Sequence, residues 1–83
     1  MKIEVLYFAW VRERIGLPRE SVQTCAATVS ELIGELRERE ERYALAFSDL
    51  SALKVALDHD LSDFDAPLEG VREVAFFPPM TGG

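Results

Sequence analysis

The chain has one cysteine, Cys25, and one histidine, His59. A lone cysteine excludes an internal disulfide, and neither residue has partners at metal-site or nucleophile–base spacing. His59 stands between Asp58 and Asp60. Adjacent extended residues point to opposite faces, so this trio reads as a solvated turn. Basic residues are scarce, nine Lys and Arg against fifteen Asp and Glu, for a net charge of −6. That balance argues against nucleic acid or an anionic membrane surface as partner and favours a basic protein surface. Long apolar runs are missing as well. The longest, Val5 to Val11, is far short of the ~20 residues of a membrane helix. Met1-Lys2-Ile3-Glu4 has no signal-peptide layout, and the expected location is the cytoplasm. There is no Gly-rich phosphate loop of Walker or Rossmann type, no internal repeat and no linker. No cofactor is expected on this chain, and without a nucleophile–base–orienter set it is not expected to be a self-sufficient catalyst.

What is present fits one small core. The chain has 83 residues, and one this size buries only a little over ~60% of its unfolded surface. Residues 2 to 8, rich in Ile, Val, Tyr and Phe, read as a strand. Ala9 to Ile15 reads as a short helix with Val11 and Ile15 on one face, Gly16 as its cap and Pro18 as its stop. Arg19 to Cys25 is a more polar strand. Thr28-Val29-Ser30-Glu31 is a capping box, followed by Leu32, Ile33 and Leu36 at helical spacing. Arg37 to Arg42 reads as a solvated exit, and Tyr43 to Leu50 as a short helix packing Tyr43, Leu45 and Phe47. Leu53 to Asp58 alternates as a strand, a very short strand falls near Leu61, and Arg72 to Phe77 is the last strand, ended by Pro78-Pro79. The expected fold is α+β, a mixed sheet curled around one main helix.

That helix can cover one face of the sheet, so the other should be polar. Strand phase instead places Leu6, Phe8, Ala75 and Phe77 on the outer face, with Leu61 beside them if the end strands pair. Glu4, Arg12, Lys54 and Glu73 would rim this patch. An apolar patch with a charged rim predicts a protein interface.

The patch lies at the root of Pro78-Pro79-Met80-Thr81-Gly82-Gly83. The expected division is a domain over 1–77 and an extended tail over 78–83. The proline pair favours a stiff, extended start, and the segment can reach up to roughly 20 Å at ~3.3–3.6 Å per residue. Read as a terminus, Gly82-Gly83 presents a backbone carboxylate on a tip slim enough for a slot that admits no Cβ. Ordering such a tail costs on the order of 1–2 kcal/mol per residue. Docking the patch first makes tail insertion effectively intramolecular and offsets that cost. A carboxylate is a poor electrophile and needs activation, for which an acyl-adenylate made by an ATP-using partner is the natural form.

Several segments together carry a family resemblance. They are Val5-Leu6-Tyr7-Phe8-Ala9 with Val11-Arg12-Glu13, Thr28-Val29 with Glu31-Leu32, Phe64-Asp65 with Pro67-Leu68, and Glu73-Val74-Ala75-Phe76-Phe77-Pro78-Pro79-Met80-Thr81-Gly82-Gly83. Over its whole length the chain resembles the sulfur-carrier subunits of molybdopterin synthase, which have the ubiquitin-like β-grasp fold. The resemblance implies that Gly83 is adenylated by an enzyme related to ubiquitin-activating enzymes, which uses ATP. Gly83 then becomes a thiocarboxylate with sulfur from a donor enzyme. Gly82 lets the tail thread into the large synthase subunit, where sulfur passes to cyclic pyranopterin monophosphate. Two carriers would sit at opposite ends of a large-subunit dimer, a heterotetramer. Phe8, Arg12, Leu61 and Phe77 match interface positions of that family, and Pro78, Pro79, Met80 and Thr81 form the inserted tail.

The chain departs from the family's usual pattern in three places. Asp58 replaces Asn, Gly70-Val71-Arg72 replaces Asp-Gly-Asp, and Met80 replaces Val. The alternatives that remain open are a carrier of the same fold for thiamine or transfer-RNA thiolation, a protein modifier conjugated through Gly83, and a binding module that uses the patch alone.

Overall fold

The computed structural model describes residues 1–79. Expectations that fall on Met80, Thr81, Gly82 and Gly83 lie outside the described residues. The elements are β1 (Lys2–Tyr7), α1 (Ala9–Ile15), β2 (Arg19–Gln23), α2 (Val29–Arg37), α3 (Glu41–Ala46), a 3₁₀ turn (Leu50–Ala52), β3 (Lys54–Leu57), β4 (Asp60–Ser62) and β5 (Glu73–Phe77). Five strands form one sheet in the order β2-β1-β5-β3-β4. β1 and β5 pair in parallel at its centre, and the other pairings are antiparallel. This is the expected mixed sheet, with the two strongest strands, from opposite ends of the chain, side by side.

Alternation decides what goes inside. In β1, Ile3, Val5 and Tyr7 are buried, and in β5 Val74 and Phe76 are buried. α2 supplies the facing layer through Val29, Leu32, Ile33 and Leu36. Phe76 lies at the middle of this core. It stacks on Tyr7 with ring centroids 6.4 Å apart and meets the Phe47 ring edge-on at 5.0 Å. Edge and offset contacts of this kind suit the ring quadrupole.

The start of α2 is secured from two directions. Thr28 Oγ1 accepts from the Glu31 N–H at 3.3 Å. The Val29 and Ser30 N–H groups donate to the Ala66 and Phe64 carbonyls. These bonds satisfy the donors that a helix start leaves without intrahelical partners. The return half of the capping box is displaced by one residue, because the Glu31 carboxylate accepts from Ala27 N–H at 3.4 Å.

Two turns answer the departures from the family pattern. Asp58 and His59 join β3 to β4 with φ of 49° and 76°. A two-residue type I′ hairpin needs positive φ at both positions, and Asp tolerates it nearly as well as Asn. Asp58 also accepts from the Arg72 and Glu73 N–H groups, both at 3.0 Å, tying the hairpin to the start of β5. Before β5, Gly70 takes φ 79° and the Val71 N–H bonds the Leu68 carbonyl at 2.9 Å. The glycine has moved within this turn to the position that requires it.

Three expectations need correction. The helix expected over Tyr43 to Leu50 ends at Ala46 and gives way to the 3₁₀ turn. Leu45 does not pack: it is 57% exposed, while Tyr43, Ala46 and Phe47 are buried. On so short a helix only one face reaches the core, and Leu45 is off it. Arg42 is not simply part of a solvated exit. It is half-buried, donates to the Ile15 carbonyl at 2.6 Å at the end of α1, and lies over the Tyr43 ring.

Candidate functional site

The site is built from residues left outside by the alternation that fills the core. Cross-strand register aligns Leu6 with Ala75, Ala75 with Ala56, and Ala56 with Leu61. These four form one apolar row across β1, β5, β3 and β4. Toward the tail, Phe77 is the partner of Lys54. Phe8 follows β1 in extended conformation, φ −123° and ψ 155°, with its N–H on the Phe76 carbonyl at 3.1 Å. Phe8 is 46% exposed and Leu61 72%, whereas Leu6, Ala75 and Phe77 are half-buried. The expected patch is therefore one continuous surface, and Leu61 belongs to it.

Arg12 lies one turn into α1, its N–H on the Phe8 carbonyl at 3.4 Å. Ala9, between strand and helix, has φ 52°, the left-handed region that non-glycine residues seldom occupy. This bend turns the chain out of β1 and brings the start of α1 beside the end of β5. Phe8, Phe77, Lys54, Pro78 and the start of α1 thus gather at the end of the sheet where the tail begins. Pro79 is exposed.

At the opposite end of the same face stand the acids Glu4 and Glu73, with Lys2 beyond them on β1. Glu4 accepts from Arg19 at 3.0 Å and from Ser21 at 2.8 Å. These two hydrogen bonds hold its carboxyl below the ordinary range. Glu73 has the exposed His59 imidazole at 3.5 Å. His59 thus lies in a solvated hairpin turn. Cys25 is exposed, and among the described residues no cluster of His, Cys, Asp and Glu is arranged to hold a metal.

Sequence reading missed the polar contact at the inner edge of the sheet. Glu20 of β2 points inward, half-buried, and one of its oxygens accepts from both the Tyr7 and Tyr43 hydroxyls, at 2.8 and 2.7 Å. The Arg39 guanidinium lies 3.6 Å from the other oxygen. Burial, and then the bond to Glu20, pushes both phenols above their ordinary pKa of 10.0. The available signal was phase, since Glu20 shares the inward set of β2 with buried Val22. An open cavity of about 330 Å³ lies between α1 and the 3₁₀ turn, lined by Trp10, Arg14, Ala46, Ser48, Asp49 and Ala52. It holds no nucleophile with a base.

The described residues thus offer an apolar row on the outer face that runs to the root of the tail. The family model described as ThiS family matches residues 5–83. A molybdopterin synthase sulfur carrier subunit of Escherichia coli (strain K12) is 43% identical over 98% of this chain and 99% of its own. Subunit 1 in a complex of subunits 1 and 2 of molybdopterin-converting factor from Helicobacter pylori is 27% identical, with TM-score 0.64 and full coverage of both chains. SAMP1 from Haloferax volcanii has TM-score 0.78 at 22% identity with full coverage of both chains, a likeness of fold. On these grounds the chain belongs to the ThiS family, among the molybdopterin synthase sulfur carrier subunits.

Proposed function

We propose that this chain is the sulfur-donating subunit of a molybdopterin synthase, with Gly83 as the atom-bearing end of a delivery arm. The observation that carries the reading is the outer-face row Leu6–Ala75–Ala56–Leu61, continuous with Phe8 and Phe77 at the tail root. A subunit that docks by this face positions the tail while the reactive end remains free to enter a partner's site. In this reading the 1–77 unit is the docking domain and Pro78, Pro79, Met80, Thr81 and Gly82 are the arm. Phe8, Arg12, Leu61 and Phe77 contact the partner.

The chemistry belongs to the partners. A ubiquitin-activating-like adenylyltransferase joins the Gly83 carboxylate to AMP from ATP, releasing pyrophosphate. Sulfur from a donor enzyme then displaces AMP and leaves a thiocarboxylate. Inside the large subunit that sulfur passes to cyclic pyranopterin monophosphate, toward the molybdopterin dithiolene. The complex of subunits 1 and 2 solved for the Helicobacter pylori relative supports the large subunit as partner. Two such carriers on a large-subunit dimer make the heterotetramer. Among the described residues no helix is long and apolar enough to cross a membrane, which suits an assembly of cytoplasmic enzymes.

Intact mass after co-expression with the activating enzyme and sulfur donor tests the reading. A carrier gains the difference between one sulfur and one oxygen, and deleting Gly83 abolishes the gain. A larger adduct on lysine would identify a protein modifier instead. A thiocarboxylate that supports thiamine or transfer-RNA thiolation but no dithiolene formation with a large subunit would place the chain in another pathway.

A further inference from the structure

The outer sheet face is graded along its strands. At the end away from the tail stand Glu4 and Glu73, cross-strand partners, with Asp58 next to them and Lys2 beyond them on β1, so that three acids outnumber one cation there. The apolar row occupies the middle. At the tail end the charge changes sign, with Lys54 opposite Phe77 on the same face and Arg12 one turn into α1, its N–H on the Phe8 carbonyl. The two ends also differ in what their charges already hold. Glu4 is engaged by Arg19 and Ser21 and Asp58 by two backbone N–H groups, and the His59 imidazole lies 3.5 Å from Glu73. Lys54 is exposed and takes part in no ion pair among the described residues, and the same is true of Arg12. In a chain of net charge −6, the root of the arm is thus rimmed by cations that no acid among the described residues pairs with.

We propose that Lys54 is an orientation-determining contact, which seats against a carboxylate on the rim of the partner's tail channel. The inference rests on the reading of the chain as a carrier that docks by this face. An apolar row can be approached in either direction along the strands, and only one direction aims the tail into the channel. Burial of apolar surface has no preference between them. Charge does: an acidic rim attracts Lys54 at the tail end and repels Glu4 and Glu73 if the face is reversed. The partner surface that fits is apolar at its centre, acidic at the channel mouth and basic at the far side. Lys54 acts through orientation and touches no reacting atom.

The test measures association of the full chain with the purified large subunit of the synthase, comparing wild type with Lys54→Glu, Lys54→Gln and Lys2→Glu. Lys2 lies on β1 at the far end of the face, opposite Gln23, so Lys2→Glu makes the same change in net charge away from the tail. Electrostatic steering predicts that Lys54→Glu slows association roughly tenfold at low salt, with Lys54→Gln between it and wild type and Lys2→Glu within about twofold of wild type. Raising salt from about 50 mM to about 500 mM should largely remove these differences. Thermal melts of the free variants check that the fold is kept. An unchanged or faster association for Lys54→Glu would overturn the Lys54 contact alone, as would an equal loss in Lys2→Glu. Failure of the wild-type chain to bind any large subunit would overturn the carrier reading, and the contact with it.

Discussion

Glu20 and Lys54 are charged residues on strands of one sheet, but their surroundings differ in kind. Glu20 faces inward at the β2 edge, and two tyrosine hydroxyls and Arg39 surround its carboxylate. Lys54 faces outward beside the tail root and is in no ion pair among the described residues. The Glu20 carboxylate has its partners within the chain, and the outer region leaves apolar area and cations unmatched. A half-buried charge without partners would be expensive, so Glu20 needs the partners it has. An exposed face carries no such penalty, and what it leaves unmatched is available to another protein.

The neighbours Phe76 and Phe77 break this comparison most directly. Phe76 is fully buried between Tyr7 and Phe47, and Phe76→Ala should destabilise the fold by about 3–5 kcal/mol. Phe77 is half-buried on the outer face, and Phe77→Ala should cost about 1 kcal/mol or less in stability, in keeping with its exposure. Its main effect should be weaker docking to the large subunit. Chemical denaturation and binding of the two variants, measured in parallel, separate these roles. Equal destabilisation would mean that Phe77 is a core residue and the outer face is no surface at all.

That distinction was legible in the sequence because it depends on period two alone. Alternation in Lys2–Tyr7 and Glu73–Phe77 sorted inside from outside before any contact was known. The pairing of the chain's two ends then placed Leu6 beside Ala75, and Phe77 came to the tail root. The Glu20 contacts were not legible in the same way. They join β2, β1 and α3, and which tyrosine reaches which carboxylate depends on how α3 packs. Leu45 failed for a related reason, since a six-residue helix has too little periodicity to fix its buried face. The chemistry proposed for the tail rests on family resemblance, because glycines carry no side chains from which a reaction can be read.

A change of charge at Glu20 sharpens the inner half of the comparison. Glu20→Gln keeps the shape and an acceptor oxygen but removes the charge from two hydroxyl bonds and from Arg39. Charge-assisted bonds exceed neutral ones by about 1 kcal/mol each, so the expected loss is roughly 1–2 kcal/mol. The same site sets an alkaline limit. A tyrosine whose folded pKa is raised keeps its proton after the unfolded chain has lost it. Its stabilisation is complete below pH 10.0 and falls away as pH rises beyond that value. Burial is the leading cause for Tyr7, with the bond to Glu20 second. Glu20→Gln should therefore soften the alkaline fall and leave much of it, whereas Tyr7→Phe should remove the part due to Tyr7. Denaturant melts between about pH 8 and pH 11 measure both slopes. Identical slopes in wild type and Tyr7→Phe would sink this account.

The smallest expected effect lies at the start of α2, and it sets a floor for the comparison because the cap is neither core nor docking face. Thr28 Oγ1 holds only the Glu31 N–H, while the Ala66 and Phe64 carbonyls hold the two preceding donors. Loss of an N-cap hydroxyl typically costs about 1 kcal/mol. Here the long 3.3 Å bond and the other two anchors put Thr28→Ala at or below ~1 kcal/mol. Docking should be unchanged, since α2 lies against the inner face of the sheet. A Thr28→Ala chain that melts only slightly earlier yet binds the large subunit poorly would mean that the two faces are coupled through the sheet. The separation between a matched interior and an unmatched exterior would then fail at its weakest joint, where the helix is held by the 63–68 loop that leads on from Leu61 in the patch.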